Sequence, residues 1–197
     1  MTLTQQRTKT NYLLGFCRIF TGLLFIFSGF IKANDPTGFG YKLQEYFEVF
    51  HLTAFNEYAT AIAVVICGFE ILLGALLLLG LYGNTVAWGL LLLILFFTFL
   101  TFYSAFFEVV TSCGCFGDAI PLTPWQSFSK DIVLLALILV IFFNRKQLRS
   151  IIKGSGNQFV VTMITAVISL GIGIYTVNYL PFIDFLPYKV GNNLPSL

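Results

Sequence analysis

The fold class this sequence predicts is an all-α membrane protein: an antiparallel four-helix transmembrane bundle with a fifth, C-terminal transmembrane helix. Three observations predict it. The chain of 197 residues is 57% apolar and only 10% charged, with a mean hydropathy of +0.87, which is the composition of a membrane protein. Five stretches, Tyr12 to Ile31, Tyr58 to Leu79, Thr85 to Phe107, Pro124 to Phe143 and Phe159 to Leu180, meet the roughly 20 apolar residues needed to cross about 30 Å of hydrocarbon. The charges also sort by connection. Arg7 and Lys9 before the first span, and Arg145, Lys146, Arg149 and Lys153 in the 144–156 link, are accompanied by no acidic residue, whereas the first long loop holds Asp35, Glu45, Glu48 and Glu57 against Lys32 and Lys42. Basic loops stay on the cytoplasmic side, so the expected arrangement has the N-terminus inside, the C-terminus outside and five spans of an inner membrane. The net charge of +2 adds little, and nothing in the pattern points to nucleic acid.

The first span carries Gly15, Gly22 and Gly29 at seven-residue intervals, with Arg18 on the same face. Small residues let helices approach closely, and a charged side chain on that stripe must point into the bundle. A cleaved leader is disfavoured, because Arg18 interrupts the apolar run and no small-x-small site follows it. Residues 37–50 alternate Phe39, Leu43, Tyr46, Phe47 and Phe50 with Lys42, Glu45 and Glu48, which predicts an amphipathic helix on the outer surface. Asp35-Pro36-Thr37-Gly38 supplies the turn before it. In the second span Ala63, Cys67, Glu70 and Gly74 form another small, polar stripe, turning Glu70 inward. Leu81-Tyr82-Gly83-Asn84 is short enough only for a tight helix hairpin.

The third span is rich in phenylalanine, including Phe96, Phe97, Phe99, Phe102, Phe106 and Phe107. These side chains suit either lipid and packing contacts or the flanks of a flat ring. After it, loop 108–123 contains Ser112-Cys113-Gly114-Cys115-Phe116-Gly117-Asp118. Gly114 lacks a Cβ, so the chain can turn tightly enough to bring the flanking sulfurs within bonding reach. A disulfide there closes a small, strained ring, and strain favours exchange over stapling. Cys113 and Cys115 are therefore the candidate redox pair on the outer, oxidising side, the alternatives being a static disulfide or two inert thiols. No metal is expected, since His51 is the one histidine and a third ligand beside two thiolates is not evident.

The fourth span opens with Thr123, Pro124 and Gln126, a capping-box pattern. Lys130 and Asp131 fall two turns in, roughly 10 Å from the helix start, where they must find bundle partners or snorkel to the interface. Arg18 and Glu70 lie about 9 Å and 15 Å from the cytoplasmic end, close enough to predict a buried pair. That pair is read either as structural or as an anchor for a cofactor head group. Cys17 and Cys67 read as small apolar fillers. The fifth helix, 157–180, and an outer tail, 181–197, complete the chain.

Arg18, Gly22, Gly29, Lys32, Asp35-Pro36, Glu70, Gly74, Gly80, the Cys113–Asp118 run, Thr123-Pro124-Trp125 and Asp131 together resemble the DoxX family and the related methylamine-utilisation protein MauE over roughly residues 12–143. The resemblance implies a four-helix core like that of vitamin K epoxide reductases, and roles in quinone-linked oxidation or in maturing disulfide-rich partners. This chain departs from the epoxide reductases in having Cys-x-Cys in place of Cys-x-x-Cys, with no set of shuttle cysteines. The expected function is a membrane thiol/disulfide redox protein passing electrons from an extracytoplasmic thiol protein or small sulfur compound to a membrane quinone. Arg18, Glu70, Lys130 and Asp131 are the candidate cofactor contacts. The alternative is a non-catalytic membrane subunit or assembly factor for an extracytoplasmic redox partner; a transporter fits less well, lacking paired broken helices or an inverted repeat.

Overall fold

The computed structural model describes residues 2–107, 122–179 and 181–183. Six α-helices account for nearly all of them: α1 (Thr2–Asn34), α2 (Pro36–Val49), α3 (Ala59–Leu79), α4 (Gly83–Phe107), α5 (Pro124–Phe143) and α6 (Ser155–Asn178). A six-residue 3-10 helix, Thr53–Tyr58, leads into α3. Among the described residues, five helices are long and apolar enough to cross a membrane. Phenylalanines and aliphatics such as Phe16, Phe27, Leu92, Phe99 and Val167 stand exposed on their outer faces, as a bilayer requires. The protein is a multi-pass integral membrane protein.

The bundle is assembled from two close pairs. α1 packs along α3, and α4 along α5. The first pair is close because its contact is made of glycines: a Cβ on Gly22 would meet Leu78 and the Gly74 carbonyl, and one on Gly29 would sit 2.9 Å from Cβ of Glu70. Gly15, expected on the same interface, has open space beside it, because α1 at that level has run past the end of α3. Leu77, Leu81, Leu90, Ile138 and Ile141 fill the core between the pairs with almost no exposure.

Each end of the bundle is closed differently. At one end α2 lies across the bundle as the amphipathic pattern predicts, with Phe39, Leu43 and Tyr46 buried. Its first turn is capped by the Asp35 carboxylate, which accepts from the Gly38 N–H. At the other end α3 stops at Gly80, whose left-handed φ of 68° suits glycine. The hairpin to α4 follows at once. Here the 144–156 link is ordered: a short 3-10 turn at Arg145–Gln147 is followed by an Ile151 N–H donating to the Leu79 carbonyl.

That link carries α6 across the bundle, so α6 packs on α3 and α1 and not beside α5, its neighbour in sequence. Gly68 of α3 faces Leu170, Gly173 of α6 faces Val64, and the Thr176 hydroxyl donates to the Ala33 carbonyl at 2.6 Å. The predicted fifth helix starts later than the observed one. The polar stretch Ser155–Gln158 is already helical, starting where Gly154 takes a φ of 90°.

Candidate functional site

Two lysines and two carboxylates converge inside the end of the bundle to which the cysteine-bearing segment is attached. Lys32, in the last turn of α1, points inward beneath α2, and its ammonium meets Oε1 of Glu70 on α3 at 2.7 Å. Both side chains are buried, at 2% and 4% exposure. The ammonium also lies 4.1 Å from the centroid of the Phe97 ring and 5.4 Å from that of Phe39, a cation–π arrangement.

The second pair comes from α5. Asp131 is buried; its Oδ1 sits 3.0 Å from the Lys130 ammonium, and its Oδ2 accepts from the Thr101 hydroxyl of α4 at 3.0 Å. Thr101 also lies within 3.1 Å of the Phe97 and Thr98 carbonyls, so a single hydroxyl proton serves the carboxylate or the helix backbone. The capping box at Thr123 and Gln126 sets the start of α5, and with it the depth of Asp131, seven residues or roughly 10 Å inside.

Between the pairs is a cavity of about 20 Å³ lined by Ser28, Lys32, Glu70, Phe97, Lys130 and Asp131 among others. It has room for one water molecule. The other oxygen of Glu70, Oε2, is buried without a protein hydrogen-bond donor, and a carboxylate oxygen in that position calls for one. The cluster is charge-balanced, two ammonium groups against two carboxylates, which is the condition for keeping ionised groups inside a bundle.

The sequence places some of these residues differently. Arg18 does not pair with Glu70. Its Nε donates to the Leu77 carbonyl at 2.8 Å, its Nη2 to the Leu78 carbonyl at 2.6 Å and its Nη1 to the Arg149 carbonyl at 3.4 Å. The last turn of a helix leaves carbonyls unsatisfied and carries the negative end of the macrodipole, so Arg18 is held at the C-terminus of α3, two turns away from Glu70. Arg18 therefore stands apart from Glu70, Lys130 and Asp131, which the structure brings together. Of the two fates open to Asp131, bundle partners or snorkelling, it takes the first, and Lys32 is enclosed as well, because each has an oppositely charged partner within the bundle. Thr101 was missed as a member of the site, and Lys32, though named in the resemblance, was not among the candidate cofactor contacts. The signal for Lys32 was present, since it follows Gly29 by three residues as Arg18 follows Gly15. Cys17 and Cys67 are buried free thiols in the packing. Glu108, Cys113, Cys115 and Asp118 lie outside the described residues.

A quinone does not fit among these side chains. An apolar cavity that admits a benzene ring is roughly 150 Å³, several times the space between Glu70 and Asp131. No quinone step is assigned to them.

Fold and site thus define a multi-pass membrane protein with a charge-balanced polar centre beneath one end of its helix bundle. The chain belongs to the family of the methylamine utilisation protein MauE, whose sequence model matches residues 10–144. It is also similar to Protein TlpB of Flavobacterium psychrophilum, with 31% identity over 165 residues that cover 81% of this chain and 43% of that protein. The chain therefore spans less than half the length of this curated relative. No solved structure matches it.

Proposed function

We propose that this protein is a membrane thiol/disulfide redox protein in which Cys113 and Cys115 exchange electrons with a thiol substrate at the outer face of an inner membrane, the N-terminus lying inside. The observation that carries the reading is the buried Lys32–Glu70 and Lys130–Asp131 cluster, roughly 10 Å inside the bundle end where the Cys113–Cys115 segment joins α4 to α5. In the exchange, a substrate thiolate attacks the Cys113–Cys115 disulfide and forms a mixed disulfide, and a second substrate thiolate displaces the remaining cysteine. The substrate leaves oxidised and two electrons stay on the cysteine pair. Protons move with these electrons, and a cluster that is neutral with all four groups ionised can take up or release one beside its water-sized cavity at the cost of a single net charge. The electron acceptor proposed for the reduced pair is the membrane quinone pool, meeting the protein outside the enclosed cavity.

The test is oxidation of a dithiol peptide by membranes containing the full chain. Cys113→Ser and Cys115→Ser should each abolish turnover, and Asp131→Asn should slow it about tenfold or more. Turnover that survives both serine substitutions rules the reading out. A second reading, a non-catalytic membrane subunit or assembly factor, draws on the internal pairing of all four charged groups, as expected of packing devices. Labelling with a membrane-impermeant thiol reagent, before and after a reductant, separates the two: a cycling pair marks the redox protein, and a permanently oxidised or unreactive one the scaffold.

A further inference from the structure

At the end of the bundle opposite the cysteine segment, a groove of about 820 Å³ runs between α1 and the link that follows α5. It is lined by Leu14, Gly15, Arg18, Lys146, Leu148 and Arg149 among others. Among the described residues, three cations line it and no carboxylate does. Its floor is open, since a Cβ on Gly15 would meet nothing within 4 Å.

The walls are fixed. Arg18 is tied to three carbonyls, which engages three of the five N–H groups of a guanidinium. Arg145 Nε holds Asn84 Oδ1 at 2.7 Å, Leu148 packs where a Cβ on Gly83 would stand, and the Ile151 N–H binds the Leu79 carbonyl at 3.0 Å. Lys146 and Arg149 are therefore presented by a rigid turn with their side chains exposed. Arg18 lies six residues, or about 9 Å, beyond Tyr12, and Tyr12, Leu13 and Phe16 are exposed on the adjoining surface of α1. Positive charge and apolar surface lie within two helical turns of each other there, as a phospholipid that carries its phosphate beside its acyl chains requires.

We propose that this groove binds the phosphate of an anionic phospholipid, with Arg18 at its base and Lys146 and Arg149 at its rim. A soluble phosphate monoester offers the same anion without the acyl chains, and the exposed apolar face of α1 beside the groove favours the lipid.

The experiment uses the full chain in mild detergent and follows its thermal unfolding as lipid is added. Phosphatidylglycerol should raise the midpoint and phosphatidylcholine should not. Lys146→Gln combined with Arg149→Gln should weaken the apparent affinity for phosphatidylglycerol about thirtyfold, while leaving the lipid-free midpoint unchanged, because both side chains are exposed. Lys153→Gln removes a charge from the same link but outside the groove, and should change the affinity less than about twofold. An equal response to the two lipids overturns the proposal. So does an effect of Lys153→Gln as large as that of the double substitution, since the attraction would then be diffuse. Glycerol phosphate matching phosphatidylglycerol at equal concentration would assign the groove to a soluble anion and overturn the lipid. Should the double substitution lower the lipid-free midpoint, Lys146→Gln alone, read as a loss of affinity that grows as salt is lowered, decides the question.

Discussion

Removing Lys32 should destabilise this protein far more than removing Lys32 and Glu70 together. The two groups are 2.7 Å apart and almost wholly buried. In Lys32→Met, Glu70 keeps a buried charge while its paired oxygen joins Oε2, which already lacks a protein donor. Breaking a buried pair from one side costs about 3–5 kcal/mol; the lost contact of the ammonium with Phe97, at 4.1 Å, is part of that figure. Taking about 4 kcal/mol, the ratio of folded to unfolded protein falls nearly a thousandfold. In Lys32→Met combined with Glu70→Leu, both charges are gone and Lys130 and Asp131 still balance each other, so the loss should shrink to about 1 kcal/mol or less. The double-mutant cycle then yields a coupling of about 3 kcal/mol or more. Reversible unfolding in mixed detergent and dodecyl sulfate micelles, followed by circular dichroism, measures all four corners. A Lys32→Met protein within about 0.5 kcal/mol of wild type, or a double variant as unstable as the two single losses added, would refute the account of this cluster.

The same measurement should separate glycines that look alike in sequence. Gly29→Ala, with its new Cβ 2.9 Å from Glu70 Cβ and from Ile71, should lose about 1–3 kcal/mol, while Gly15→Ala, beside open space, should gain up to about 1 kcal/mol from helix propensity. Thr101→Val should lose about 1.5–3 kcal/mol, the range for a hydrogen bond to a charged group, since it removes the hydroxyl 3.0 Å from Asp131; the loss should vanish when Asp131 is already replaced by Leu. Thr123→Ala breaks a capping box whose hydroxyl receives the Gln126 N–H, and should cost about 1 kcal/mol, seen as faster hydrogen exchange in the first turn of α5.

Much of this was readable from residue order because spacing along a helix dictates which residues share a face. Gly22, Gly29 and Gly74 fall on one stripe each and meet in the α1–α3 contact. Thr123, Pro124 and Gln126 announce the start of α5, and the structure has both bonds of the box. Spacing does not set the height at which one helix lies against another. Arg18 and Glu70 face the same interface, but the α1–α3 register brings Arg18 level with Leu77 and Leu78 and leaves Glu70 to Lys32. Nor does residue order show that α6 crosses to α3, a path settled by the link docking on the α3–α4 corner.

The division of charged residues between the two ends also decides where proton-coupled chemistry can occur. A guanidinium stays protonated throughout the ordinary pH range and can donate but not accept. Arg18, already bound to three carbonyls, is thus a fixed positive charge that closes α3 and binds the link. Carboxylates and ammonium groups can exchange protons, and Glu70, Asp131, Lys32 and Lys130 all sit near the opposite end around one water-sized space. Thiol oxidation releases protons, so the proposed function needs exchangeable groups at the end of the bundle to which the cysteine-bearing stretch is attached. α4 and α5, the helices on either side of that stretch in sequence, contribute Thr101 and Asp131 to that end.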